Sequence, residues 1–444
     1  MLYTMLKNNY VVLIFSFLGA FILNHFAPDI TNIVHHTGDP STTTVFLILS
    51  VLFGFGYLAN KFTTKTIIPS FVAIMLFGLV LGDILSPATA IVMQVAMVFA
   101  NLILYLGWIE IDRKEFIKVL LPTLAIGIIG YLITMLGLGF ALHNFLWLDP
   151  TIAYLLGAIL GSTDPAALIP TLKQIVFKNQ QVVDLSIAES AINDVVGSVV
   201  TLILLSKVQA GLHLTGLQEV RASLANAETL IHLGKEIAIG AIVGIISYMI
   251  INRYEKQKKS EKESNHDIWL LLFVPFMAYT VSVLFHWAGF LAAFIAWLLA
   301  MYAGHHNQFA KTSSMLESKI DVYAKPAIFM LLGPLVNISE LVQYAWMWLA
   351  ASLIFCLLVR PITVFLSLLP LRIFGYKYTK GELGFLCAVR ETGVIPVVLL
   401  IIVAKQLPEL QGLVPIGIWV VLFTLIVLPI LTPWRAGVCK VKKA

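Results

Sequence analysis

Apolar runs of roughly 20 residues recur along the whole chain and constrain its fold more than any other feature. A run of this length crosses the hydrocarbon core of a bilayer as an α-helix, which satisfies its own backbone hydrogen bonds. The composition agrees, since 59% of the residues are hydrophobic and only 12% are charged. We identify about 14 such segments, at 9–27, 42–59, 66–84, 89–109, 118–142, 151–174, 182–206, 231–252, 267–286, 288–304, 321–337, 344–370, 381–404 and 411–432. The expected fold class is an all-α polytopic membrane protein with about 14 transmembrane helices.

Lys and Arg residues set the expected orientation of these segments. Both termini and the loops after every second segment hold about 22 of the 29 Lys and Arg residues. The positive-inside rule then predicts two cytoplasmic termini in a plasma (inner) membrane protein surrounded by lipid. Topology therefore accounts for the net charge of +5, and we expect no nucleic-acid partner.

The 14 segments divide evenly into two halves of seven. Because seven is odd, corresponding helices of the two halves cross the membrane in opposite directions. This is the pattern of an inverted-topology repeat, in which two discontinuous helices cross near mid-membrane. In the sixth segment, Pro165 should break the helix at Asp164, because proline disfavours helical geometry in the residue before it. The thirteenth segment offers a similar irregularity at 388–396, which ends in Pro396.

The seventh segment carries polar residues in the middle of an apolar run. An ionised carboxylate there costs at least ~3 kcal/mol unless it is partnered, so Glu189 and Asp194 are candidate functional residues. Ser190 and Asp194 are four residues apart, as are Glu189 and Asn193, so each pair shares a helix face. Two acids and two neutral polar groups should therefore occupy one neighbourhood.

The helix break near Asp164 suggests a cation site. Broken helices leave free carbonyls, and with the oxygens of Thr163 and Asp164 these suit a small hard cation. The negative ends of half-helices need compensation, which Arg390 can supply. Arg360 would be costly without a partner, and Glu189 is the partner we expect.

These residues resemble those of the NhaP/NHE-type sodium/proton antiporters, in the electroneutral branch of the monovalent cation/proton antiporters. The shared marks are Ser162-Thr163-Asp164-Pro165, Glu189-Ser190-x-x-Asn193-Asp194, Arg360 and Arg390. The resemblance implies that Asp194 binds cation or proton, that Asp164 and Ser190 assist, and that Glu189 pairs with Arg360. It also implies a homodimer whose six-helix core, segments 5–7 and 12–14, moves against a dimerisation domain.

The domain organisation expected from this resemblance has six parts. They are an extra N-terminal helix and outer loop (1–41), dimerisation-domain helices (42–117), core helices 5–7 (118–207), an outer loop with interface helices 8–11 (208–343), core helices 12–14 (344–434) and a short basic cytoplasmic tail (435–444). The outer loop at about 208–230 is expected to be a solvated connector. The chain departs from the family's pattern at Glu391, where glycine is common, and at Leu106, near a position that often holds an acid.

The function expected from these observations is exchange of Na⁺, and also Li⁺, for H⁺, serving pH homeostasis. Cation and proton would compete for Asp194 by alternating access. Because Asn193 is neutral and Glu189 is tied to Arg360, the exchange should be electroneutral, one cation for one proton. Exchange of K⁺ for H⁺ at the same residues stays open, as does sodium-coupled symport of an organic anion. Enzyme motifs are absent from the sequence, and no cofactor is expected.

Overall fold

The computed structural model describes residues 9–29, 40–63, 70–86, 113–163, 172, 177–257, 265–284, 289–303, 328–331 and 338–435. The elements in these residues are helices, as expected for apolar sequence that must satisfy its own backbone groups. They are α1 (Asn9–His25), α2 (Pro40–Thr63), α3 (Ser70–Val80), α4 (Gly82–Leu85), α5 (Arg113–Leu124), α6 (Tyr131–Leu146), α7 (Pro150–Leu160), α8 (Gln181–Gln209), α9 (Leu217–Leu224), α10 (Ala227–Gln257), α11 (Asn265–Leu284), α12 (Phe290–Ala303), α13 (Ile338–Gln343), α14 (Ala345–Leu353), α15 (Arg360–Leu368), α16 (Lys380–Ala388), α17 (Val394–Gln406) and α18 (Leu413–Arg435).

Five helical stretches within the described residues are long and apolar enough to cross a membrane. They are Phe46–Thr63, Glu115–Leu146, Gln181–Gln209, Ala227–Ile250 and Ala345–Phe374. The predicted segment 89–109 and most of 321–337 lie outside the described residues.

Two of these stretches are long rods with one π-helical turn each. The turn Ala125–Gly130 joins α5 to α6, and the turn Ile354–Val359 joins α14 to α15. The rods are the predicted segments 5 and 12, which occupy corresponding places in the two halves of the chain. The first π turn packs against α8 and α15, and the second ends immediately before Arg360.

Both predicted discontinuous helices lose their helical geometry within the described residues. Residues 389–393 between α16 and α17 are not helical, and Val389 is extended. In the first half, α7 ends at Leu160 rather than at Asp164, and residues 161–163 are already non-helical. Asp164 lies outside the described residues. A distant arginine binds the carbonyls at this end of α7, as described below.

Each interrupted helix begins with a strong N-cap. Asp149 accepts hydrogen bonds from the amides of Thr151 and Ile152 at 2.8 and 3.2 Å, and Pro150 occupies the first turn of α7. At the start of α16, Thr379 and Glu382 form a capping box. The N-terminal ends of both half-helices are therefore capped, and their other ends lie inside the protein.

The two rods, the interrupted helices, α8 and α18 pack into one bundle, formed by parts of 113–209 and 345–435. Close approach at its centre requires glycine: a Cβ on Gly157 of α7 would lie 2.4 Å from the main-chain oxygen of Met135 on α6. Helices α10, α11 and α12 form a second group, and α1, α2 and α3 a third. The description of the bundle as a moving core beside a dimerisation domain stays a prediction.

The outer connection at 208–230 differs from the solvated loop predicted from the sequence, because it contains the helix α9. Val220 and Ser223 are buried and Leu224 is half-buried, and their spacing places them on one face of the helix. This face packs against α8 and α10. Just beyond it, Lys207 of α8 forms an exposed ion pair with Glu228 of α10, at 3.0 Å.

Candidate functional site

Helix α8 carries the polar residues that the sequence singles out. Glu189 is 2% exposed, and Ser190, Asn193 and Asp194 are each 1% exposed. All four side chains therefore lie inside the bundle rather than against lipid. The hydroxyl of Ser198 donates to the main-chain oxygen of Asp194 at 2.8 Å.

Thr163 joins the interrupted end of α7 to α8. Its amide donates to Oδ1 of Asn193 at 3.0 Å, and Nδ2 of Asn193 donates to its hydroxyl at 2.8 Å. The same hydroxyl lies 2.9 Å from Oγ of Ser190. Asn193 thus fixes Thr163, whose hydroxyl contacts that of Ser190, and Ser190 lies about one helical turn before Asp194 on α8.

Glu189 and Arg360 form a buried bidentate ion pair. The two guanidinium nitrogens donate to the two carboxylate oxygens at 2.5 and 3.0 Å, and Arg360 is 1% exposed. A paired charge of this kind fixes geometry, because removing either partner leaves an uncompensated charge in the interior.

Arg390 lies in the break between α16 and α17 and reaches the end of α7. Its guanidinium donates to the carbonyl of Gly161 and, at 3.4 Å, to that of Leu160. The guanidinium carbon also lies 4.9 Å from the centre of the Phe355 ring, on the second π turn. Cation–π contact and hydrogen bonding together hold this buried cation.

The two arginines act on the two interrupted helices in the same way. Nε of Arg360 donates to the carbonyl of Leu386 in the last turn of α16 at 3.0 Å, as Arg390 donates at the end of α7. The C-terminal end of a helix carries about half a negative charge. The C-terminal end of each of these half-helices therefore accepts a hydrogen bond from one guanidinium group.

These positions bring together most of the residues predicted to form a site. Thr163, Ser190, Asn193 and Asp194 are close in space, and Glu189 and Arg360 are paired beside them. Asp164 was predicted with them but lies outside the described residues. Hydroxyl and carboxylate oxygens are hard ligands, which alkali cations prefer, and a buried carboxylate can carry a proton in the cation's place.

Three contributions were not anticipated from the sequence. Thr424 of α18 accepts from the amide of Thr392 at 3.2 Å, and the two hydroxyls are also hydrogen-bonded. The Leu386 carbonyl and the Phe355 ring complete the arginine sites. A carbonyl or a phenylalanine in a membrane helix gives no sequence signal of its own. The threonine in an apolar run is therefore the only signal among these three contributions, and it is a weak one.

The sequence is similar to those of known cation/proton antiporters. The chain is 26% identical over 390 residues to "Probable Na(+)/H(+) antiporter 2" of Methanocaldococcus jannaschii, covering 83% of this chain and 86% of that protein. It is also 26% identical to the "K(+)/H(+) antiporter NhaP2" of Shewanella oneidensis, covering 87% of this chain and 65% of the relative.

The solved structure of the sodium proton antiporter MjNhaP1 from M. jannaschii at pH 8 has a similar fold. The TM-score is 0.72 at 23% identity, over 87% of this chain and 99% of MjNhaP1. This confirms the expected fold class, an all-α polytopic membrane protein of about 14 transmembrane helices in an inverted repeat. Residues 47–436 match the family described as "Sodium/hydrogen exchanger, transmembrane". The chain belongs to the sodium/hydrogen exchanger family of membrane transporters.

Proposed function

We propose that this protein exchanges a monovalent cation, Na⁺ in the first place, for H⁺, and that the two compete for Asp194. The observation that carries the proposal is the position of this acid. Asp194 is 1% exposed on α8, about a turn from the adjoining hydroxyls of Thr163 and Ser190. A carboxylate in such a setting is stable when it holds either a proton or a cation.

The charges of the described bundle support an electroneutral exchange of one cation for one proton. Asn193 is neutral and is engaged with Thr163, and Glu189 is paired with Arg360. With these groups fixed, replacing a proton on Asp194 by Na⁺ leaves the charge of the moving bundle unchanged.

The names of the relatives favour cation/proton exchange over symport of an organic anion. Na⁺ is our first choice because relatives named Na⁺/H⁺ antiporters match most of this chain and most of their own length. K⁺ is the second candidate, because several relatives of similar identity are named K⁺/H⁺ antiporters.

The proposed setting follows from the distribution of charge and from the expected domains. The protein lies in the plasma (inner) membrane with both termini in the cytoplasm, and it works as a homodimer in contact with lipid. The bundle built from parts of 113–209 and 345–435 moves against the remaining helices and exposes Asp194 to one face at a time.

The deciding experiment measures cation-induced proton release from proteoliposomes that hold a pH gradient, with Na⁺, Li⁺ and K⁺ in turn. Wild type should respond to at least one cation, and Asp194→Asn to none. Asp184→Asn is the matched control, because it makes the same change near the start of the same helix. A wild type that responds to no cation would overturn the proposal, as would an Asp194→Asn variant that exchanges normally.

A further inference from the structure

Glu391 is a buried acid that the proposed exchange does not use. It lies in the break between α16 and α17 and is 1% exposed. The next residue is anchored, because Thr392 is hydrogen-bonded through its amide and its hydroxyl to Thr424 on α18. Arg390, on the other side, is held by the carbonyls at the end of α7. The backbone on both sides of Glu391 is therefore fixed.

The charges near Glu391 form one group. Glu391 is within electrostatic range of Arg360, which is itself paired with Glu189. Arg390 is within range of both Arg360 and Glu189. We call these four residues, Glu189, Arg360, Arg390 and Glu391, the charge quartet.

The charge quartet has two acids and two guanidinium groups, and each of its members is at most 2% exposed. Burying charge is costly, so a neutral group is the arrangement of lowest cost in such an interior. Without Glu391 the quartet would have a net charge of +1. That charge would lie on the arginines. Arg390 contacts the carbonyl of Gly161, two residues before Thr163, and Arg360 contacts Glu189 on the helix that carries Asp194, so the charge would lie close to the cation.

We propose that Glu391 determines the cation affinity of the exchanger, by balancing the positive charge of the two buried arginines so that a monovalent cation can bind at Asp194. The proposal rests on the function proposed above. In this proposal Glu391 is a positioning residue and not a ligand: it does not contact the cation, and it acts through the charges of the other members of the quartet. An unbalanced guanidinium would repel the cation, and at a separation of roughly 10 Å in a medium of intermediate dielectric this changes affinity on the order of tenfold.

The test compares neutral and charged replacements in the proteoliposome assay. At a pH high enough that protons do not compete for Asp194, Glu391→Gln and Glu391→Gly should each raise the apparent KM for the transported cation about tenfold, with the maximal rate within about twofold of wild type. Glu391→Asp should keep the wild-type KM. Glu409→Gln is the control, because it removes an exposed carboxylate from the loop after α17. The same loss of negative charge should also weaken proton binding at Asp194 and move the pH–rate profile of the two neutral variants to lower pH.

Each outcome decides the matter. A wild-type KM in either neutral variant overturns the proposal, and so does an Asp variant as impaired as the neutral pair. If one neutral variant fails to fold, the other gives the result, because Gly adds no polar atom and Gln keeps the size of the side chain. Thermal stabilisation of purified protein by NaCl or KCl, measured against choline chloride, gives cation affinity without transport. Failure of the proposed function is recognised separately, as a wild type that exchanges nothing.

Discussion

The guanidinium of Arg390 donates to the main-chain carbonyl of Gly161, so the break in one discontinuous helix stabilises the end of the other. Arg390→Gln would leave the carbonyls at the end of α7 without a cation. Hydrogen bonds to charged groups contribute about 1.5–3 kcal/mol each, so we expect a clear fall in the free energy of unfolding. Arg390→Lys should be intermediate, because an ammonium group does not stack on Phe355 as a planar guanidinium does. Thermal unfolding in detergent measures both variants. The exposed Arg372→Gln is the control, and equal melting temperatures for it and Arg390→Gln would contradict the capping role.

Glu189 and Arg360 should be strongly coupled. Removing one partner of a buried ion pair costs about 3–5 kcal/mol, whereas removing both costs less than the sum of the two single changes. A double-mutant cycle with Glu189→Gln and Arg360→Gln measures this coupling. The exposed pair Lys207–Glu228 gives a matched cycle in which we expect little or no coupling. Coupling of similar size in the two pairs would be inconsistent with a dry environment around Arg360.

Thr163 should affect the cation more than the stability of the fold. Thr163→Val removes the hydroxyl that Ser190 and Asn193 share, so the apparent KM for the cation should rise severalfold, whereas Thr163→Ser should stay near wild type. Thr363→Val is the control: it removes a buried hydroxyl that lies 2.9 Å from Thr134 in the same bundle. That variant should lose about 1 kcal/mol of stability and keep its KM. If Thr163→Val instead kept its KM and lost stability, while Thr363→Val raised the KM, Thr163 would not be part of the cation site.

Exchange should be independent of membrane potential. One net charge moved across the membrane is worth about 2.3 kcal/mol per 100 mV, which would change the exchange equilibrium about fiftyfold. The cation and pH gradients at which net flux stops should therefore be the same at imposed potentials of either sign. A shift of this balance point with voltage would mean that the charges of Asn193 and Glu189 are wrongly assigned.

Two glycines of the bundle should respond oppositely to alanine. A Cβ on Gly157 would lie 2.4 Å from the Met135 carbonyl, whereas a Cβ on Gly384 of α16 would meet nothing within 4 Å. Gly157→Ala should therefore destabilise the protein by about 1–3 kcal/mol, and Gly384→Ala should be neutral or stabilising by up to about 1 kcal/mol. Melting temperatures measure both. If they fall equally, the close contact between α6 and α7 is not present in solution.

The sequence predicts those parts of the fold that depend on local composition. Apolar length predicts the spanning helices, and Pro396 together with Arg390 and Glu391 in an apolar run indicates the second break. The end of α7 at Leu160 was not predictable in this way, because the guanidinium that binds its last carbonyl is 230 positions away in the sequence. Helix α9 was missed because it is only eight residues long and has few buried side chains. Among the site contacts, the Thr392–Thr424 bond and the Leu386 carbonyl depend on tertiary packing and leave no sequence pattern.

The π turn Ile354–Val359 changes the helical phase of the rod that contains it. A π turn contains about one residue more than an α turn, so the helix after it is out of phase with the helix before it. If the same residues formed a regular α-helix without the π turn, every later side chain would rotate by roughly 100°, whereas deleting one residue together with the turn would keep their orientation. In the straightened helix Arg360 would turn away from Glu189 and Leu386, although its depth would change by only about 1.5 Å. The direction in which Arg360 points therefore depends on the number of residues in the π turn as well as on charge.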